Sequence, residues 1–126
     1  MPSPPGPAVL VADDHDGVRE LARYALEVGG LTVHEARDGA EALAVAREQP
    51  ILVAVLDLGL PEPDGAELCQ RIKADPRTAH VRVLIVTGAL DAVSQRRVAA
   101  ARPDAFLSKP FLPAQLVASV RALLPS

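Results

Sequence analysis

Two stretches of this chain, Ala8 to Ala12 (AVLVA) and Ile51 to Leu56, are apolar without interruption and then stop abruptly on aspartate. A strand exposed on one face alternates polar and apolar residues, so an unbroken aliphatic run of five or six residues marks a strand covered on both faces, as in a parallel sheet. Parallel strands need crossover connections, and the chain supplies them. Short β-branched or aliphatic runs alternate with longer stretches at helical spacing, and this βα rhythm occurs five times with no repeat of about 20 to 50 residues.

The spacing predicts helix 1 over Asp16 to Val28, with Val18, Leu21, Ala22, Ala25 and Leu26 on one face and Gly29-Gly30 as its stop. Strand 2 is expected over Thr32 to Ala36, helix 2 over Ala40 to Glu48, strand 3 over Ile51 to Leu56 and helix 3 over Ala66 to Ala74, ended by Asp75-Pro76. Strand 4 follows over Val81 to Val86, and helix 4 over Asp91 to Ala101 with a polar Ser94, Gln95, Arg96, Arg97 face. Strand 5 is brief, Ala105 to Leu107, and Pro113 opens a last helix that turns Leu116, Val117, Val120 and Leu124 inward. Met1 to Pro7, with four prolines, reads as a disordered tail before a domain at 8–124.

Composition narrows the function classes. The 126 residues are 49% hydrophobic, enough for one domain with one buried core. A net charge of −3 argues against direct nucleic acid binding by bulk charge. The single Cys69 excludes a disulfide framework and any zinc site built on thiols, which fits a reducing, cytoplasmic setting. No apolar run approaches the roughly 18 to 20 residues of a membrane span.

Open parallel sheets covered by helices on both faces bind ligands beyond the carboxyl ends of their strands. The polar residues collect there: Asp13 and Asp14 after strand 1, Asp57 after strand 3, Thr87 after strand 4 and Lys109 after strand 5. Taken singly, each has an ordinary reading. Asp13, Asp14 or Asp16 can cap helix 1, Asp57 can accept backbone amides, Thr87 can serve a turn and Lys109 a solvated loop. Together they read differently, because carboxylates repel by about 4 kcal/mol per pair at 4 Å and an effective dielectric near 20, against a net domain stability of about 5 to 15 kcal/mol. Such a cluster calls for a cation or raised pKa values, and oxygen donors select a hard ion such as Mg²⁺, with Mn²⁺ as the alternative. His15, beside them, reads as exposed. A magnesium site of one or two carboxylates suggests phosphoryl chemistry, with Asp57 as nucleophile, Lys109 as counter-charge and Thr87 as hydroxyl donor.

With these residues placed, the segments VADDHDGVRELARYAL, EARDGAEAL, VAVLDLGLPEPDGAELCQRIK, VLIVTGA and DAFLSKPF, in this order and spacing, closely resemble the receiver domain of bacterial two-component response regulators from about Ala8 to Leu124. The resemblance implies a flavodoxin-like doubly wound (βα)5 sheet in strand order 2-1-3-4-5. It implies Asp57 as phosphoacceptor; Asp13, Asp14, Asp57 and the backbone carbonyl of Gly59 as the metal site; Thr87 and Lys109 as phosphoryl-binding; Thr87 and Phe106 as the switch pair; and a cis bond at Lys109-Pro110. The implied partner is a sensor histidine kinase or histidine phosphotransfer protein, docking around Val18, Leu21, Pro110 and Phe111. The output partner is unspecified, a phosphorylation-dependent dimer through the Arg96, Arg97, Arg102 surface of helix 4 is one form it can take, and the domain is a signalling switch rather than an enzyme. No effector segment follows Leu124, so a stand-alone receiver or one taken from a longer protein is expected. Phe106 also reads as a core residue of an edge strand, and Gly59 and Ala89 as positions too small to place or block a water.

Two other classes compete. A receiver-like interaction module that works without phosphorylation would tolerate loss of one of the five polar residues, and all five are here. A flavodoxin would need a phosphate loop after strand 1, and an aspartate-based phosphatase a second carboxylate two residues beyond Asp57, where Gly59 stands.

Overall fold

The protein, a computed structural model, is described over residues 6–88 and 91–125. Residues 1–5 of the expected tail and Ala89 lie outside the described residues. Pro7, assigned to the tail from sequence, is fastened: its carbonyl accepts the Thr32 N–H at 3.0 Å.

Five strands, β1 (Ala8–Ala12), β2 (Thr32–Ala36), β3 (Val53–Asp57), β4 (Arg82–Thr87) and β5 (Ala105–Ser108), alternate with α1 (Asp16–Val28), α2 (Gly39–Glu48), α3 (Gly65–Ala74), α4 (Ala92–Ala101) and α5 (Pro113–Leu123). All strand pairs are parallel, in the order β2-β1-β3-β4-β5. The sheet is therefore the five-stranded doubly wound α/β arrangement expected.

The continuous apolar runs split by parity. Leu10, Ala54, Leu56 and Ile85 point into one core with Leu43 of α2, Leu68 and Ile72 of α3 and Val98 of α4. Val9, Val11, Val53, Val55 and Leu84 point into the other, with Leu26 of α1 and Leu116 and Val120 of α5. A side-chain period of two thus builds two cores from each strand, which is why these strands carry no polar residue until they end.

Local chemistry sets the boundaries. Asp38, Asp64 and Asp91 cap α2, α3 and α4, their carboxylates accepting the N–H of Glu41, Glu67 and Ser94. Gly30, at φ +89°, takes the left-handed turn that stops α1. Strand β3 begins two residues later than expected because the Ile51 amide is spent on the Gln49 carbonyl at 2.8 Å, although Ile51 is fully buried. β4 likewise starts at Arg82, since the Val81 N–H bonds Thr78.

Helix α1 differs from expectation on its inner face. Ala22, Ala25 and Leu26 are buried, but Leu21 is largely exposed and Arg19 is buried instead. α4 is the least secured helix, with Val98 and Ala101 as its buried residues. Its last turn is held to α3 by Cys69, whose buried thiol donates to the Ala101 carbonyl at 3.4 Å. Burial pushes that thiol's pKa up to about 11. Among the described residues, no helix is long and apolar enough to cross a membrane.

Candidate functional site

Parallel pairing brings the carboxyl ends of the strands level. Ala12 of β1 lies opposite Leu56, Asp57 of β3 opposite Val86, and Thr87 of β4 opposite Ser108. Asp13, Asp57, Thr87 and Lys109 therefore converge at one sheet edge, and Asp13, Asp57 and Thr87 are buried.

Lys109 bridges the two buried carboxylates, its Nζ 3.1 Å from Asp13 Oδ2 and 3.3 Å from Asp57 Oδ1. Its position follows from the strand it leaves: the Lys109 N–H bonds the Thr87 carbonyl at 2.9 Å, and the Lys109–Pro110 peptide is cis. A second cis peptide, Glu62–Pro63, stands in the β3–α3 loop. Sequence reading did not anticipate it, because an X-Pro pair permits the cis form without announcing it.

The question of which aspartate caps α1 resolves against all three. The N-cap is His15, which makes no side-chain cap bond. Asp13 instead accepts the His15 N–H at 2.8 Å, and His15 Nδ1 lies 3.0 Å from Asp13 Oδ1 and 3.2 Å from Asp14 Oδ1. The imidazole is exposed, as expected, yet faces both carboxylates. Asp16 pairs with Arg19, whose buried guanidinium also meets Glu35 and donates to the Asp13 backbone carbonyl at 2.9 Å. Arg19 thus holds the β1–α1 loop from beneath. The only sequence signal for it was its i,i+3 spacing from Asp16.

Ligand atoms from Asp13, Asp14, His15 and Asp57 all lie within 4.8 Å of one another. Burial is the largest influence on Asp57 and raises its pKa; the Asp13 charge adds to this, and Lys109 and the Gly59 N–H partly offset it. Burial works against the Lys109 cation, but its bonds and attraction to Asp13 and Asp57 prevail and raise its pKa. One lysine thus serves a cluster with more negative charge than it can balance. Oxygen donors in charge deficit suit a hard divalent cation.

A cavity of about 460 Å³ opens over Asp57, lined among others by Gly59, Asp64, Thr87, Arg97 and Lys109. Arg97 was read from sequence as part of an outward basic surface on helix 4; here it is ion-paired with Asp64 at this cavity. No linear pattern links two residues 33 apart, so only the fold reveals the pair.

Phe106 is not among the residues of that cavity. It is 45% exposed, which corrects its reading as a core residue: β5 alternates, turning Ala105 and Leu107 toward the α1–α5 core and Phe106 outward. There it lines a groove of about 400 Å³ with Val98, Arg102 and Pro103. On the other flank, Val18, Leu21, Pro110 and Phe111 line a smaller apolar hollow of about 230 Å³.

A doubly wound sheet with an acidic cluster and a bridging lysine at its carboxyl edge has the build of a signal receiver. Residues 9–121 match the response regulator receiver domain family, and the chain belongs to it. It is 38% identical over 119 residues to the DNA-binding dual master transcriptional regulator RpaA of Synechocystis, covering 94% of this chain and 49% of that protein. Response regulator MprA of Mycobacterium leprae is 40% identical over 118 residues, covering 92% and 50%. The chain therefore spans about half the length of the curated relatives it matches. Among solved structures it is similar to chemotaxis response regulator CheY4 of Vibrio cholerae, with a TM-score of 0.86, 26% identity and coverage of 94% and 99%. As a receiver domain it works in phosphorelay, two-component signal transduction.

Proposed function

We propose that Asp57 is the phosphoacceptor of this receiver, taking a phosphoryl group from a histidine kinase or a histidine phosphotransfer protein. The observation that carries the reading is Asp57 itself: a buried carboxylate at the end of β3, 3.3 Å from Lys109 and within one cluster with Asp13 and Asp14. An Asp57 oxygen attacks phosphorus, the P–N bond of the phosphohistidine breaks, and its electron pair returns to the ring. The donor histidine leaves as neutral imidazole, its other nitrogen already protonated.

Asp13, Asp14, Asp57 and the Gly59 carbonyl would hold Mg²⁺, or Mn²⁺ in its place, and the ion would supply positive charge that offsets the negative charge of the site. Lys109 moves its ammonium from the carboxylates toward the transferred group. Thr87 donates its hydroxyl to a phosphoryl oxygen, and Phe106 leaves its outward position, changing the surface of α4, β5 and α5 where an output partner or a second receiver binds. The kinase docks in the apolar hollow beside Lys109, formed by Val18, Leu21, Pro110 and Phe111. The domain promotes only its own phosphorylation and dephosphorylation, so it is a switch and not an enzyme acting on other substrates, and its histidine-kinase partner sets it to work in the cytoplasm.

Intact mass tests this with Mg²⁺ and acetyl phosphate on the native chain and on Asp57→Asn. A gain of one phosphoryl group that needs Mg²⁺ and is absent from the variant is expected. No adduct, together with no binding of fluoroberyllate, would leave a receiver-like module that works without phosphorylation.

A further inference from the structure

The acceptor cavity contains a second cation. Lys109 is already shared between Asp13 and Asp57, and phosphorylation replaces the single charge of the Asp57 carboxylate by the larger charge of the phosphoryl oxygens, which this lysine must serve together with Asp13. Arg97 of α4 lines the same cavity, and its guanidinium is held by Asp64.

That hold is easily exchanged. Both side chains are partly exposed, 46% for Arg97 and 32% for Asp64, and exposed pairs are weak. Asp64 does not depend on the arginine, because its carboxylate caps α3 by accepting the Glu67 N–H at 3.0 Å and is also bonded by the Ala66 N–H. Asp64 is therefore the anchored member of the pair, and Arg97 is the one that an anion can draw away. Arg97 and Asp57 border the same cavity of about 460 Å³, and Gly59, which also lines it, adds no side chain there. The helix that carries Arg97 is also the least buried of the five.

We infer that Arg97 is a second phosphoryl-binding residue: with a phosphoryl group on Asp57, its guanidinium leaves Asp64 for the phosphoryl oxygens and draws α4 toward the sheet edge. Arginine suits this role because its planar fork matches phosphoryl oxygens with paired donors. The inference rests on Asp57 as acceptor, and the experiment separates the two.

Fluoroberyllate affinity is measured by calorimetry at saturating Mg²⁺ on the native chain, Asp57→Asn, Arg97→Ala, Arg97→Lys and Asp64→Asn, with acetyl phosphate adducts followed by mass. Arg97→Ala should bind about tenfold more weakly, the scale of one net charge-assisted hydrogen bond, while still gaining the phosphoryl mass. Arg97→Lys should recover part of the loss, and Asp64→Asn, which releases the guanidinium, should bind more tightly than the native chain. An Arg97→Ala affinity within about twofold of native would overturn the role of Arg97 alone. A native chain that binds no fluoroberyllate and gains no mass would overturn the acceptor reading beneath it.

Discussion

Gly65 and Arg102 pose the same backbone question with opposite answers. A Cβ at Gly65 would lie 2.5 Å from the Asp57 carbonyl oxygen and 2.8 Å from Leu58 Cα, all backbone atoms that cannot turn aside. The Gly65 N–H also bonds the Leu58 carbonyl, so this glycine sets how tightly α3 closes on the acceptor loop. Gly65→Ala should cost about 1 to 3 kcal/mol by overpacking and slow phosphoryl uptake, read from urea unfolding and adduct formation; native-like stability would show that the loop can yield. Arg102 ends α4 at φ 53° in the left-handed region, where a side chain is strained. Arg102→Gly relieves that strain at some cost in unfolded-chain entropy, and a net gain of about 0.5 to 1 kcal/mol in the same measurement is expected.

Between elements, Asp104, in the turn before β5, is a polar hub. It receives Lys73 of α3 and the Val83 N–H of β4, each at 2.7 Å, and Arg82 at 3.4 Å. Burial raises its pKa, but the Lys73 and Val83 bonds outweigh it and leave the carboxyl below the usual aspartate range. A depressed folded-state pKa means the stabilisation is present above the unfolded value near 3.8 and is lost as pH falls through the folded one. Asp104→Asn should therefore cost about 1 to 3 kcal/mol at neutral pH, with the gap to the native chain closing below about pH 4. A gap independent of pH would assign the role to shape rather than charge. The Arg102-Pro103-Asp104 sequence does not display this hub, because the partners come from α3 and β4, more than twenty residues earlier.

For the molecule as a whole, what could be read without coordinates was set by period and termination. Short β-branched or aliphatic runs placed five strands, the unbroken ones among them implied cover on both faces, and the abrupt polar ends of four placed Asp13, Asp57, Thr87 and Lys109 at a common edge. Strand starts slipped by one or two residues, since a local turn can claim the first amide, as at Ile51. The supporting residues stayed hidden for another reason. Arg19 and Arg97 look like surface arginines in a linear string, and only the approach of distant segments buries the first and pairs the second with Asp64 at the acceptor cavity.

The α3–α4 seam also supplies a reporter. Alkylating reagents need a thiolate that they can reach, and Cys69 is protonated near neutrality, sealed inside and joined to the end of α4. Iodoacetamide should leave the native protein unmarked over hours and modify it at the rate at which the domain opens, so labelling that follows urea-induced unfolding is expected. Rapid modification without denaturant would mean that the seam breathes by itself. With one cysteine in the chain, every alkylated molecule records a single event, the opening of the core that encloses Cys69.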